Sequence, residues 1–205
     1  MRSIRIVMLL TALYALIVLL APPSLAGEPR QHDGGFFLRL SAGGGSATTS
    51  NDILGETLEL SGGAVDLNFA IGAIVSPNLA IHGTLFGWMV EDPDVKLGSE
   101  TATMPNANLD LSAIGAGLTY YLMPSNFYLS GSLGIGTLTI DTALGESSTD
   151  PGLAVDLTVG KEWWVSDRWG LGAAAALSFH SIGEEGIAEN WTGTGFALRF
   201  SATLN

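Results

Sequence analysis

Three groups of residues carry enough chemistry to be candidate sites. Glu91-Asp92-Pro93-Asp94 sets three carboxylates within four residues. Hard oxygen ligands at that spacing could hold Ca²⁺ or Mg²⁺. Glu91, Asp92 and Asp94 are therefore a candidate divalent-cation loop; the alternative is a solvated acidic loop, because the Asp-x-Asp-x-Asp-Gly order of a dedicated calcium loop is absent. Ser178-Phe179-His180 brings a hydroxyl and an imidazole together, with Glu184, Glu185 and Glu189 close behind. On paper that is a nucleophile, a base and an orienting acid. The third group is Arg39, Asp66, Asp156, Glu162 and Arg199, isolated charges within otherwise apolar or small-residue segments. Charges in such surroundings must pair. The chain has no Cys, which removes thiol and disulfide chemistry. No pattern calls for a cofactor or a structural metal.

The segments that must position these groups alternate with a period of two, as strands do. Eight are expected: Gly35–Gly44, Gly63–Val75, Leu79–Val90, Leu109–Leu122, Phe127–Ile140, Leu153–Val165, Gly170–Ile182 and Gly195–Asn205. In the fourth, the apolar positions change phase, which predicts a β-bulge near Ser112-Ala113. Short links (Ser76–Asn78, Met123–Asn126, Ser166–Arg168) alternate with long ones (Gly45–Leu60, Glu91–Asn108, Asp141–Gly152, Glu184–Thr194). That rhythm places every long link at one end of an up-and-down sheet. The expected fold is all-β, an eight-stranded antiparallel up-and-down transmembrane β-barrel over residues 35–205.

Parity decides which face is outside. One face of each strand is apolar; the other is mostly Gly, Ser, Ala and Thr and carries Arg39, Asp66, Asp156, Glu162 and Arg199, with His82 and His180 as further candidates. The small-residue face is a poor solvated exterior but fits a narrow lumen, since eight strands leave just enough room inside for side chains. The apolar face is therefore expected to meet lipid and the five charges to form a polar network in the lumen. Aromatic residues Phe36, Tyr120, Tyr121, Phe127, Tyr128, Trp163, Trp164 and Trp169 gather beside the short links or the chain start and predict an aromatic girdle at one membrane interface. Phe86, Trp88, Phe179, Trp191 and Phe196 predict a second, beside the long links.

The first residues complete the picture. Arg2 and Arg5, an apolar run from Ile6 to Ala21 and Ser24-Leu25-Ala26 read as a signal peptide cleaved after residue 26, followed by a short segment 27–34. The run is 16 residues, short of a transmembrane helix. Without it, 6 basic residues face 20 acidic ones, a net charge of −14, which gives no electrostatic reason to bind nucleic acid. Thirteen of those acids lie in the four long links, against Lys96 alone.

The Gly-aromatic opening strand (Gly34-Gly35-Phe36-Phe37-Leu38-Arg39-Leu40), the Gly-rich alternating middle strands and the amphipathic last strand resemble the small eight-stranded outer-membrane barrels, the opacity-protein and OmpA-, OmpX- and OmpW-like group. The resemblance covers the whole chain after residue 26. It implies a Gram-negative cell outer membrane, lipids and lipopolysaccharide as neighbours, the barrel-assembly machinery as a partner during biogenesis, and a monomer. It departs at the end, where such barrels commonly close on a terminal aromatic and this chain ends Phe200-Ser201-Ala202-Thr203-Leu204-Asn205. The expected role is non-enzymatic, structural or interactive, through four long acidic loops. Two alternatives stand beside it. One is a narrow channel for small or apolar solutes, as in OmpW-like barrels. The other is an outer-membrane lipid-modifying hydrolase, although the lipid A deacylase pattern resembles His-x-Ser on the barrel exterior and this chain has Ser-x-His with lumen parity.

Overall fold

The computed structural model describes residues 32, 35–53, 55–186 and 189–205. The expected signal peptide, and all of segment 27–34 except His32, lie outside the described residues. Within them, eleven strands run β1 (Gly35–Ile53), β2 (Glu56–Ser76), β3 (Leu79–Glu91), β4 (Asp94–Leu97), β5 (Glu100–Thr103), β6 (Asn108–Leu122), β7 (Phe127–Thr142), β8 (Gly145–Ser148), β9 (Gly152–Trp164), β10 (Trp169–Ile182) and β11 (Trp191–Leu204). Eight of these close a ring in the order β1-β11-β10-β9-β7-β6-β3-β2, and β2 pairs back onto β1. Every pairing is antiparallel. The expected all-β, up-and-down, eight-stranded barrel is the fold.

The three short links sit where the sequence puts them. Asn78 and Asn126 occupy left-handed positions, with φ of 66° and 54°; Asn tolerates that region better than other non-glycine residues. The long links differ from expectation. The link 45–60 is a continuation of β1 and β2, paired from Gly35↔Ile74 up to Ile53↔Glu56. The link 91–108 contains the β4–β5 hairpin, which pairs β2 along Leu58↔Leu97 to Ser61↔Asp94. The link 141–152 contains β8, folded back on β7. A barrel strand needs only about 9–11 residues to cross a bilayer. At 19 and 21 residues, β1 and β2 project well past that height.

The exterior follows the parity argument. Outward positions form an apolar or glycine band on every ring strand, such as Ile114–Leu122 on β6, Phe127–Ile135 on β7, Phe196–Leu204 on β11 and, interrupted by Lys161 near its short-turn end, Leu153–Trp163 on β9. Each spans nine to eleven residues, the length of one bilayer crossing. Ile114 and Ile135 are 66% and 63% exposed, and Leu67 is 60% exposed. Soluble domains do not carry a continuous apolar surface of this extent. Lipid removes the cost, and closure gives each of the eight ring strands a partner on both sides.

No bulge interrupts β6. It pairs without a break to β3 and β7, and Leu109, Leu111 and Ala113 continue the inward alternation of Thr119 and Tyr121. The phase change has another cause: the interior itself turns apolar toward the long-link end. The one irregularity beside these strands is between Ile74 and Ser76, at the first short turn.

Candidate functional site: the filled lumen and its acidic rim

The lumen is stratified. At the short-turn end, Phe37, Ala70, Ile74, Ala80, Tyr121 and Tyr128 pack together. Here Arg39 Nη2 donates to the Tyr121 hydroxyl at 2.9 Å, and its guanidinium carbon lies 4.1 Å from the Tyr128 ring centroid. Glu162 stands 3.5 Å from Arg39 Nε and accepts a 2.6 Å hydrogen bond from Thr203. The ring of Tyr128 fits because residue 160, on the neighbouring strand, is glycine; a Cβ there would lie 2.6 Å from it.

One layer up, Arg199 on β11 clasps two carboxylates on opposite sides. Its Nε and Nη2 donate to Asp66 on β2, the latter at 2.9 Å. Its Nη1 and Nη2 donate to Asp156 on β9 at 3.0 and 2.6 Å, and Nη1 also reaches Thr158 at 2.9 Å. Asn68 adds a 3.4 Å bond to Asp156. A guanidinium meeting two carboxylates bidentately uses its planar fork of donors to the full. The five charged residues picked out by parity are all in the lumen, divided into this clasp and the Arg39–Glu162 pair. They contribute no free charge path, because each is 4% exposed or less.

Toward the long-link end the interior turns largely apolar, beside a buried Thr49–His180 hydrogen bond. Ala47, Leu60, Ala64, Trp88, Val90, Leu109, Leu111, Leu138 and Ile182 form one buried cluster. The long-link girdle expected of Phe86, Trp88 and Trp191 is corrected accordingly: Phe86 and Trp88 are buried in the lumen and Trp191 packs on the cluster. Phe179 and Phe196 do face outward. The short-turn girdle needs the same correction. Phe36, Tyr120, Phe127 and Trp169 are exposed on the outside and Trp163 shares their face, whereas Tyr121, Tyr128 and Trp164 point inward and are buried. The doublets Tyr120-Tyr121, Phe127-Tyr128 and Trp163-Trp164 could not have faced the same way, since successive strand residues alternate. Lys161, on the outer face, lies 5.1 Å from Phe127 and 5.4 Å from Trp163, so its ammonium rests against the girdle.

Ser178 and His180 are both buried in the lumen. His180 Nε2 bonds Thr49 Oγ1 at 2.9 Å, and Glu184 accepts from Trp191 Nε1 at 2.7 Å. The two halves of the paper triad are thus engaged with other partners. The candidate cation loop is not gathered either. Asp92 Oδ1 caps the Asn106 amide at 2.7 Å, and Asp94 Oδ1 accepts from Thr103 at 2.7 Å. Among the described residues no three His, Cys, Asp or Glu side chains are placed to share a metal ion.

Sequence reasoning missed His32. Its ring stacks on Tyr121 at 3.6 Å and closes the short-turn mouth. Nε2 donates to Asn126 Oδ1 at 3.0 Å and Nδ1 accepts from Asn205 Nδ2 at 2.7 Å; the main chain exchanges two bonds with Asn78. One residue thereby ties together two short turns and the chain end. Three asparagines at those places were the available signal. Burial holds the imidazole below its ordinary pKa of 6.5; nearby Arg39 adds to this, while Asn126, Glu162 and Asn205 oppose it. Protonation would also cost Nδ1 its acceptor role. A depressed folded pKa gives stability that is present above about 6.5 and is lost as pH falls through the folded value. Wild-type barrel should therefore lose unfolding resistance in acid more steeply than His32→Asn, measured as urea midpoints in vesicles between pH 7 and 4; parallel curves would contradict this.

No protein-family model matches the chain, and no curated protein matches it. Solved structures do. Neisserial surface protein A aligns over 83% of this chain and 97% of its own, with a TM-score of 0.58 at 14% identity. OprG from Pseudomonas aeruginosa covers 85% and 98%, with a TM-score of 0.42 at 18% identity. Ail of Yersinia pestis, in complex with the heparin analogue sucrose octasulfate, covers 83% and 99%, with a TM-score of 0.46 at 12% identity. At these identities the likeness is one of fold.

Proposed function

We propose that this chain, whose fold is that of the small outer-membrane β-barrels, is an integral protein of the Gram-negative outer membrane that acts through its long-link end and does not conduct. The observation that carries the reading is the filling of the lumen at successive heights: the His32 cap, the Arg39–Glu162 pair, the Arg199 clasp and the apolar cluster. A solute path would have to break all four. What remains exposed is the rim of long links, rich in carboxylate and hydroxyl. In this reading residues 1–26 direct export and are removed, the long links face outward, lipids and lipopolysaccharide surround a monomer, and the barrel-assembly machinery inserts it. The packing in the lumen favours this reading over a narrow channel, and the separate partners of His180 and Glu184 favour it over a hydrolase.

Planar-bilayer recording tests the reading. Wild-type barrel and Arg39→Ala should both be silent, while Arg39→Ala unfolds at lower urea, because Glu162 is left as a buried charge without its partner. Steady single-channel steps from the wild type would overturn the proposal.

A further inference from the structure

A polar hollow opens on the outside of the barrel wall at the long-link end, between β10, β11, β1 and β2. Its volume is about 490 Å³, within the roughly 300–1,000 Å³ range of small-molecule sites. Such sites are ordinarily mostly apolar; among the described residues this one is lined by polar side chains, none of them basic. Asp52 and Glu189 supply carboxylates, and Ser50, Thr57, Ser181 and Thr192 supply hydroxyls. Asn51 and Asn190 complete the wall. Asn51 is 2% exposed; its Nδ2 donates to the Glu189 carbonyl at 2.8 Å, and its Oδ1 has no partner. Asn51 shares the inward parity of Thr49, so it fastens the inner side of the wall and leaves a ligand the outward hydroxyls and carboxylates.

The height of the hollow narrows the ligand. On β10 the outward side chains run Leu177, Phe179 and then Ser181; on β11 they run Phe196, Thr194 and then Thr192. The change from apolar to polar marks the edge of the hydrocarbon, so the hollow lies just above it, among sugars and headgroups. Two carboxylates without a cation repel phosphate and sulfate, whereas carboxylates and hydroxyls together are good acceptors for the hydroxyls of a sugar and for an ammonium. We propose that this hollow binds a sugar unit without negative charge, neutral or amino-bearing. The proposal rests on the outward orientation of the long links given above.

The test uses the whole refolded barrel in vesicles, titrated by calorimetry and saturation-transfer NMR with chitotriose, with its fully de-N-acetylated form, and with sucrose octasulfate. The first two should bind with a dissociation constant near ~1 mM or tighter, the cationic form about threefold to tenfold more tightly, and the octasulfate should not bind. Asp52→Asn with Glu189→Gln should abolish the preference for the cationic sugar; both side chains are exposed, so the fold is preserved. Glu100→Gln, in the exposed β4–β5 hairpin that pairs β2 and outside the hollow's lining, should change nothing. Repeating the titration in vesicles containing lipopolysaccharide separates the sources: lost binding assigns the hollow to the glycolipid's own sugars, retained binding to a free saccharide. Failure of both uncharged and cationic sugars, equal binding of the octasulfate, or an equal effect of Glu100→Gln would overturn the proposal. A barrel that stays silent in planar bilayers yet ignores every sugar overturns the hollow alone; a conducting barrel overturns the reading beneath it.

Discussion

Replacing Arg199 by Met should cost this barrel more than any other single change in its polar interior, about 3–5 kcal/mol of unfolding free energy. The guanidinium is the only group that stands between Asp66 and Asp156 in the clasp; without it two buried carboxylates face one another with a hydroxyl and an amide for company. Methionine fills most of the stem volume, so the loss reports charge and not space. The informative control neutralises all three. Arg199→Met with Asp66→Asn and Asp156→Asn removes the orphaned charges, and replacing a whole buried ion cluster by neutral groups is often close to thermodynamically neutral. The triple variant should therefore recover most of the stability that the single variant loses. Urea unfolding in phospholipid vesicles, read by tryptophan fluorescence and by heat-modifiable gel mobility, measures both. A single variant as stable as wild type would mean that the clasp carries no uncompensated charge, and a triple variant no better than the single would locate its value in shape.

The same clasp shows how far the sequence could be read. Asp66, Asp156 and Arg199 each sit between apolar neighbours on alternating strands, and a period of two assigns them inward without knowledge of any contact. Their division from Arg39 and Glu162 was not legible, because pairing across the lumen depends on strand tilt and stagger, which parity does not contain. Apolar residues on both faces defeated parity altogether. Leu109 and Leu111 look out of phase with Ile114 only if the interior is assumed polar, and the apparent bulge near Ser112 was the price of that assumption. The upper halves of β1 and β2 hid for a different reason. Ser46–Ile53 is rich in Ser, Thr and Asn, a loop composition, but its partner segment Glu56–Gly63 lies within pairing reach across a tight turn, and pairing across that turn overrides propensity. His32 gave no local pattern at all; its role comes from three asparagines brought together only when the ring closes.

Leu111→Ala tests whether the lumen is sealed at more than one height. Leu111 is 1% exposed and lies in the apolar cluster with Trp88, Val90, Leu109, Leu138 and Ile182. Truncation removes three carbons from a site walled by ring strands that cannot collapse far, so the expected loss is about 2–5 kcal/mol, toward the upper end if the cavity persists. A cavity lined by hydrocarbon stays dry. Water entering from the long-link end would then still meet Trp88 and, beneath it, the Arg199 clasp, whose donors are already committed to Asp66, Asp156 and Thr158. The variant should therefore unfold at clearly lower urea than wild type and remain silent in planar bilayers. The two readouts separate two jobs that one residue could hold. Conductance appearing with Leu111→Ala alone would make the apolar layer the sole seal and demote the clasp to a stabilising device; silence with a lowered midpoint means that packing and closure are distributed over the height of the barrel, and that the exposed chemistry lies at the rim.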